Sequence, residues 1–320
     1  MMQKEHFLKK TVVVCLLAMI CCVLWGSAFP GIKIGYQLWH ISAKDMASQI
    51  VFAGVRFFLA GVLTIIIGSV LQRNILLPRK ENGKAILCLA AFQTVIQYLF
   101  FYIGLAHTTG VKASILTACN VFFAILIAGV LLHQEKLDKR ILIGCLLGFL
   151  GVICINMQSG SVELHFIWNG DGFILLAALS YAISSVMIKQ YGKTQNTVLL
   201  SGYQFMVGGI VLSVTGIALG GRIQNGKTGA IAIILYLAFV SAIAYSLWGI
   251  LLKYNPISKV TVFGFFNPIA GVILSALLLQ EKQDMGLGTL IALILVSCGI
   301  YLVNRDSDKK KKIDSDSKMF

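Results

Sequence analysis

The sequence is dominated by long apolar segments that short polar loops separate. A helix needs about 20 apolar residues to cross about 30 Å of hydrocarbon, and ten segments are of this kind. No segment alternates with the period of two that is typical of a membrane barrel. The predicted spans are Thr11–Phe29, Met46–Leu71, Ala85–Leu105, Ala113–Leu132, Ile141–Met157, Gly172–Gln190, Val198–Leu219, Ala230–Leu252, Val260–Leu279 and Met285–Val303. The predicted fold class is therefore an all-α integral membrane protein with ten transmembrane helices.

Charge supports this assignment and also orients the chain. Charged residues make up 12% of the sequence, against roughly 25% in soluble domains, so they cannot cover a soluble surface of this size. The net charge of +14 does not indicate nucleic-acid binding, because the Lys and Arg residues lie between apolar segments. Of the 27 Lys and Arg residues, 20 lie on the side of the N-terminus. Cytoplasmic loops collect positive charge, so we expect a multi-pass cell-membrane protein with both termini in the cytoplasm.

The two halves of the chain resemble each other in an ordered series of residues. Phe57 aligns with Phe205, Tyr98 with Tyr245, Lys112 with Lys259, Asn120 with Asn267, and Gln134-Glu135-Lys136 with Gln280-Glu281-Lys282. Each copy holds five spans, and five is odd, so the second copy enters the membrane from the opposite face. Such inverted repeats allow inward-open and outward-open states of similar energy, which alternating access requires.

This organisation predicts five regions along the chain. They are a cytoplasmic N-terminus at 1–10, a first five-helix repeat at 11–157, a linker at 158–171, a second repeat at 172–304, and a disordered basic cytoplasmic tail at 305–320. The tail is rich in Lys, Asp and Ser, as disordered segments are, and we expect its lysines to contact anionic lipid headgroups.

Two five-helix halves of about 150 residues, the Trp25-Gly26-Ser27 motif and the repeated Gln-Glu-Lys motif resemble the EamA-type branch of the drug/metabolite transporter superfamily. The resemblance covers roughly Thr11 to Asn304. It implies a central cavity lined by helices of both halves, and movement of small polar metabolites, often amino acids or their derivatives and often outward. It does not supply the substrate.

Arg56 is the most informative single residue, because it lies near the middle of the second span. An arginine at this depth costs at least about 2.5–3.5 kcal/mol on insertion scales. Its helical neighbours Ala53 and Ala60 are small, which indicates a face packed against protein. Arg56 either faces the cavity and binds a carboxylate or phosphate, or it is a structural arginine that bonds backbone carbonyls or snorkels outward.

Polar and aromatic stripes mark the third and eighth spans. Gln93 and Gln97 are four residues apart and are expected on one helix face, as are Ser241, Tyr245 and Trp248. Because amides in lipid require partners, these faces should turn inward. They either line the cavity or bond neighbouring helices.

Asn120 and Asn267 occupy matching positions in the fourth and ninth spans. Pro268 removes a backbone donor and leaves the carbonyl of Gly264 without its helical bond, and Pro30 does the same near the end of the first span. Broken helices expose backbone polar groups that transporters use for binding. A simple packing kink is the alternative.

Trp25 and Tyr181 lie in repeat-related helices and either stack on a substrate or are lipid-facing or packing aromatics. The full set of predicted substrate-binding residues is Arg56, Trp25, Gln93, Gln97, Tyr98, Asn120, Tyr181, Tyr245, Trp248 and Asn267.

Glu135 and Glu281 lie at helix ends beside lysines, and each has either a gating or coupling role or a local ion pair. Pro30 and Pro268 are the other gating candidates. No Asp or Glu is expected at mid-membrane, which gives little support to a midplane proton relay.

Competing functions have weaker signals. A multidrug effluxer of the same fold would usually need a membrane carboxylate for cationic drugs. A membrane-embedded enzyme, which is less favoured, would need a metal or nucleophile motif, and the sequence has none. A passive channel would need a ring of like charges. The eight cysteines lie inside apolar segments without metal spacing, so we expect no metal and no cofactor. The oligomeric state is left open.

Overall fold

The computed structural model describes residues 2–42, 44–108, 110–157, 166–223, 226–279 and 287–305. Within these residues ten helices are long and apolar enough to cross a membrane, and there is no strand. We number them α1 (Thr11–Leu38), α2 (Met46–Gln72), α3 (Lys80–Leu105), α4 (Lys112–Leu131), α5 (Lys139–Met157), α6 (Trp168–Gly192), α7 (Thr197–Ala218), α8 (Ala230–Tyr254), α9 (Ile257–Leu278) and α10 (Leu287–Asn304). A short helix at Met2–Lys9 precedes α1. The predicted ten-helix fold class is confirmed; Glu281 and residues 306–320 lie outside the described residues.

Two predicted helix ends are wrong in ways that matter for the site. The first helix does not end at Phe29 but continues through the buried Pro30 to Leu38. A proline inside a helix removes only one backbone hydrogen bond, and the long apolar segment around it still spans the bilayer. The sixth helix begins at Trp168 instead of Gly172, so Asp171, which we expected in a linker, lies in its first turn.

The two halves interleave in a symmetric way. Helix α2 packs along α7, and α5 packs along α10. Helix α1 contacts α8 and α9, while its counterpart α6 contacts α3 and α4. Glycines allow the α2–α7 approach, because a Cβ on Gly54 would lie 2.4 Å from Ser213 Oγ and one on Gly209 would lie 2.4 Å from the Phe58 nitrogen. Since each half is five helices long, the halves have opposite directions in the membrane.

Residues at matching positions of the two copies contact each other in the centre of the bundle. The rings of Phe57 and Phe205 stack with their centroids 5.2 Å apart. The hydroxyls of Tyr98 and Tyr245 are 3.3 Å apart. A residue that touches its own repeat counterpart lies at the axis relating the halves. The local two-fold axis of the molecule therefore passes between these rings.

Two spans near this axis depart from α-helical geometry. Helix α3 contains a π-helical segment at Ala90–Ile96, and α9 contains a 3₁₀ segment at Val262–Phe265, shortly before Pro268. Such segments interrupt the regular ladder of backbone hydrogen bonds and are frequent at functional sites. Both interruptions lie in helices that contribute to the central cavity.

Candidate functional site

A cavity of about 190 Å³ lies at the centre of the bundle and receives side chains from both halves. It is lined by α1 to α4 of the first half and by α6, α8 and α9 of the second. Nine of the ten predicted binding residues line it: Trp25, Arg56, Gln97, Tyr98, Asn120, Tyr181, Tyr245, Trp248 and Asn267. The structure thus brings together residues that are up to 242 positions apart in the sequence.

Arg56 is the only charged side chain among the described residues that line the cavity. It is 4% exposed, and its Nε has no acceptor. Its guanidinium lies 4.4 Å from the ring centroid of Phe57 and 5.9 Å from that of Tyr98. Among the described residues no carboxylate or backbone carbonyl is bonded to it. The contacts are therefore those of a cation held over aromatic faces beside an open space.

Aromatic rings form most of the wall beside Arg56. Trp25 makes edge contacts with Tyr245 and Trp248, at centroid distances of 5.1 and 5.0 Å. Tyr181 contacts Tyr245 at 6.5 Å. The predicted shared face of Ser241, Tyr245 and Trp248 on α8 is confirmed, because all three line the cavity. The wall offers flat apolar surfaces with polar edges.

Several buried polar atoms of these cavity residues have no hydrogen-bond partner within the described part of the chain. Three are donors or belong to a cation, namely Trp25 Nε1, Trp248 Nε1 and Arg56 Nε. Two are acceptors, Gln97 Oε1 and Asn267 Oδ1. Buried polar atoms are normally bonded, so their concentration around one cavity indicates a site for a polar solute.

Gln93 does not join Gln97 in the cavity lining; of the two alternatives for these amides, Gln93 bonds a neighbouring helix. Gln93 lies inside the π-helical segment Ala90–Ile96, and Gln97 is the first residue after it. Gln93 is buried and accepts a bond of 3.1 Å from Gln204 Nε2 on α7. Thr94 Oγ1 donates to Gln204 Oε1 at 2.7 Å, and Ser180 Oγ donates to the Phe92 carbonyl at 2.6 Å. Side chains of α6 and α7 therefore stabilise the irregular turn, which sequence patterns within α3 could not show.

We call the end of the bundle where α1 begins the near end, and the opposite end the far end. The cavity extends from Trp248 and Thr261 towards Ile32 and Tyr102, which lie in the far-end halves of α1 and α3. A different buried carboxylate bonds the helix ends at each end of the bundle: Glu135 at the near end and Asp171 at the far end.

Glu135, just after α4, lies at the near end. Its carboxylate accepts hydrogen bonds from the backbone nitrogens of Ile257 and Ser258, from Ser258 Oγ at 2.7 Å and from Lys189 Nζ at 3.2 Å. Lys189 also donates to the Asn255 carbonyl at 2.9 Å. This carboxylate forms its ion pair with Lys189 instead of the expected local pair with the neighbouring Lys136. It caps the start of α9 and joins it to the ends of α4 and α6, an arrangement that a helix N-terminus favours.

Asp171 holds the far end, and sequence reasoning missed it. Its fully buried carboxylate lies 2.6 Å from Lys112 Nζ. It also accepts from Thr108 Oγ1 at 2.6 Å and from the Ile167 nitrogen at 2.8 Å. These bonds connect the start of α6 to the α3–α4 connection and the start of α4. The one available signal was an acidic residue directly before an apolar run.

The described residues contain no group of three or more His, Cys, Asp or Glu side chains that could hold a metal ion.

Comparison with known proteins agrees with this geometry. The sequence model of the EamA-like transporter family matches residues 12–157 and 168–305. The uncharacterized transporter YvbV of Bacillus subtilis (strain 168) is 27% identical over 95% of both chains. A protein of Escherichia coli (strain K12) named a probable amino-acid metabolite efflux pump is 26% identical over 89% of this chain and 93% of its own. One crystal structure aligns with a TM-score of 0.75 over 93% of this chain and 98% of that one; its 14% identity shows the fold alone.

Proposed function

Because the chain belongs to the EamA-like transporter family, and so to the drug/metabolite transporter superfamily, we propose that it exports small carboxylated metabolites, amino-acid-like or related acids, by alternating access. Its partners are the lipid bilayer and a small-molecule solute. What is proposed here is the class of solute, the direction and the residues that bind.

The unpaired Arg56 carries the proposal for the substrate. A buried charge without a partner is strongly unfavourable, and a planar guanidinium binds a carboxylate through two parallel hydrogen bonds. Arg56 lines the cavity, and no described carboxylate neutralises it. A solute carboxylate supplies the missing charge. The lack of an acidic side chain among the described cavity residues speaks against the alternative of an effluxer of cationic drugs.

The other cavity residues have supporting roles in this proposal. Trp25, Tyr98, Tyr181, Tyr245 and Trp248 provide stacking surfaces for the body of the solute. The amides of Gln97, Asn120 and Asn267 bond its neutral polar groups. Gln93 acts indirectly, because it supports the turn that aims Gln97 at the cavity.

Alternating access is proposed from the two ends of the cavity. Glu135 ties α4, α6 and α9 together at the near end, while the cavity extends towards the far end. The excess of Lys and Arg at the near end supports a cytoplasmic location for this end. The structure then corresponds to an outward-facing state, in a cell membrane, with Glu135 as a gating residue. The interruptions at Pro30 and Pro268 are proposed as points of bending, and the boundaries of the two repeats and the tail also stay predictions.

Transport by purified protein in liposomes tests the proposal. We expect labelled monocarboxylates to exchange across the bilayer and to be recovered chemically unchanged, which an enzyme would not allow. Arg56→Gln should lower the rate at least about tenfold, because a charge-assisted bidentate contact is lost. Arg56→Lys should retain part of it.

The matched control is Arg73→Gln, which removes an exposed arginine at the near end of α2 and should leave the rate unchanged. Full carboxylate exchange by Arg56→Gln would refute Arg56 as the binding residue.

A further inference from the structure

The charges around the cavity point to a narrower class of solute than the proposed function names. Arg56 is the single charged residue among the described residues of the lining. The buried carboxylates nearest the two ends, Glu135 and Asp171, are already paired with Lys189 and Lys112. The cavity therefore has a net charge of +1, and the described lining offers no negative group.

The neutral polar atoms of the cavity are acceptors as well as donors. Gln97 Oε1 and Asn267 Oδ1 are buried without a hydrogen-bond donor. Each can accept from a hydroxyl or an amide N–H of a solute, and neither neutralises an ammonium group. The walls formed by Trp25, Tyr181 and Trp248 suit an aromatic or other apolar body.

A zwitterionic amino acid fits this charge distribution poorly. Its ammonium is attached to the carbon that bears the carboxylate, so binding of the carboxylate by Arg56 brings two positive charges together. Like charges a few ångströms apart repel strongly in a medium of low dielectric constant, and a buried ion without a counter-charge is costly. A solute of net charge −1 instead leaves the occupied cavity neutral.

We propose that the cavity selects monoanionic carboxylates that carry an uncharged hydrogen-bond donor and an apolar body, such as 2-hydroxy acids or N-acylated amino acids, over zwitterionic amino acids. This inference rests on the proposed function, since it assumes that Arg56 binds the carboxylate. In this proposal the amide oxygens of Gln97 and Asn267 accept the hydrogen bond from the uncharged donor of the solute.

The test uses solutes that differ in one group. 3-Phenyllactate, phenylalanine and 3-phenylpropionate share the carboxylate and the ring but carry a hydroxyl, an ammonium or a hydrogen on the second carbon. Phenylalaninamide is a cation of the same shape. Their affinities for the full chain in nanodiscs are measured by calorimetry. We expect 3-phenyllactate to bind at least about tenfold more tightly than phenylalanine, because only phenylalanine adds a second positive charge, and we expect phenylalaninamide not to bind.

Two variants separate the causes. Arg56→Gln should weaken 3-phenyllactate binding at least about tenfold and reduce its preference over phenylalanine to less than about threefold. Gln97→Leu should weaken 3-phenyllactate about threefold or more and leave 3-phenylpropionate unchanged, because only the former has a hydroxyl to bond. The ranking of the four solutes on the unmodified protein stands even if a variant fails to fold.

The outcomes are distinguishable. Phenylalanine affinity equal to or above that of 3-phenyllactate, with both lost in Arg56→Gln, would overturn this selectivity and leave the proposed carboxylate site intact. Affinities that Arg56→Gln leaves unchanged would overturn the carboxylate site and, with it, this inference.

Discussion

Lys112 and Lys259 occupy matching positions in the two repeats, but their surroundings differ. At the far end Lys112 forms an ion pair of 2.6 Å with the fully buried Asp171 of α6. At the near end Lys259 bonds the hydroxyl of Thr11 on α1 at 3.0 Å. The carboxylate at the near end, Glu135, pairs with Lys189 and also binds the backbone of α9. The backbone repeat is symmetric, while the chemistry at its two ends is not.

This difference indicates which helix start can be released. The start of α4 and the connection before it are tied to α6 by the Lys112–Asp171 ion pair and by the hydrogen bond from Thr108 to Asp171. The start of α9 is capped by Glu135, which lies in the connection after α4. We infer that α9 moves when the near end opens and that α4 stays with α6. Four predictions test this contrast, and each can be read with a cysteine at the buried Val260 in a background without the eight native cysteines.

The largest effect is expected from Glu135→Ala. Removal of this carboxylate leaves Lys189 and two backbone nitrogens without their acceptor, and a broken buried pair costs about 3–5 kcal/mol. The near end should open, so a membrane-impermeant maleimide added at that end should label Val260→Cys at least about tenfold faster. Transport should fall with it.

Glu135→Asp is the control, since it keeps the charge and should retain part of the closure. Unchanged labelling in Glu135→Ala would show that the near end is closed by something other than this carboxylate.

Asp171→Asn should act on stability instead of on access. The amide keeps a partner for Thr108 but loses the charge that pairs with Lys112. We expect a loss of about 2 kcal/mol, measured as a fall of several degrees in the unfolding temperature in detergent, with labelling at the near end unchanged. Faster labelling of Val260→Cys in this variant would break the proposed contrast between the two ends.

Gln204→Leu changes the middle of the molecule, and we expect no response at either end. Gln93 and Thr94 lose their partner on α7, which costs about 1–2 kcal/mol. The π-helical segment should relax, so solute affinity should weaken about threefold as Gln97 shifts, while near-end labelling is unaffected. Gln204→Glu keeps an acceptor for Thr94 and serves as the matched variant.

The smallest effect is expected from Thr11→Val, which removes the hydroxyl that bonds Lys259. One hydrogen bond contributes about 0.5–1.5 kcal/mol, so near-end labelling should rise less than about threefold. Thr11→Ser should be silent. An effect as large as that of Glu135→Ala would mean that α1, not α4, holds the start of α9.

The sequence predicted those features that depend on local composition. Span number and the paired copies follow from apolar length and from ordered matches such as Tyr98 with Tyr245, which the structure places in contact. The repeat and the polarity in lipid gave a cavity position as one of two alternatives for the binding candidates, and nine of them line the cavity. Their roles as ligands stay predictions.

What the sequence could not predict depends on distant partners. The π-helical turn of α3 is supported by Ser180 and Gln204 on other helices, so the pattern within α3 could not decide whether Gln93 lines the cavity or bonds a neighbouring helix. The pairing of Glu135 with Lys189 spans 54 residues, and the more obvious neighbour was Lys136. The predicted first span ended at Phe29, and the packing that keeps this helix intact through Pro30 to Leu38 is not visible in sequence.

The cap that Glu135 places on α9 has a consequence for how fast the protein can change state. When the near end opens, the nitrogens of Ile257 and Ser258, the Ser258 hydroxyl and the ammonium of Lys189 lose the same acceptor at once. Water can replace the carboxylate as the acceptor for each of these groups, so the open state needs no other side chains to bond them. In the proposed cycle, each turnover wets and dries this end of the bundle, which makes the rate of cycling sensitive to osmotic stress and to the activity of water at the near end.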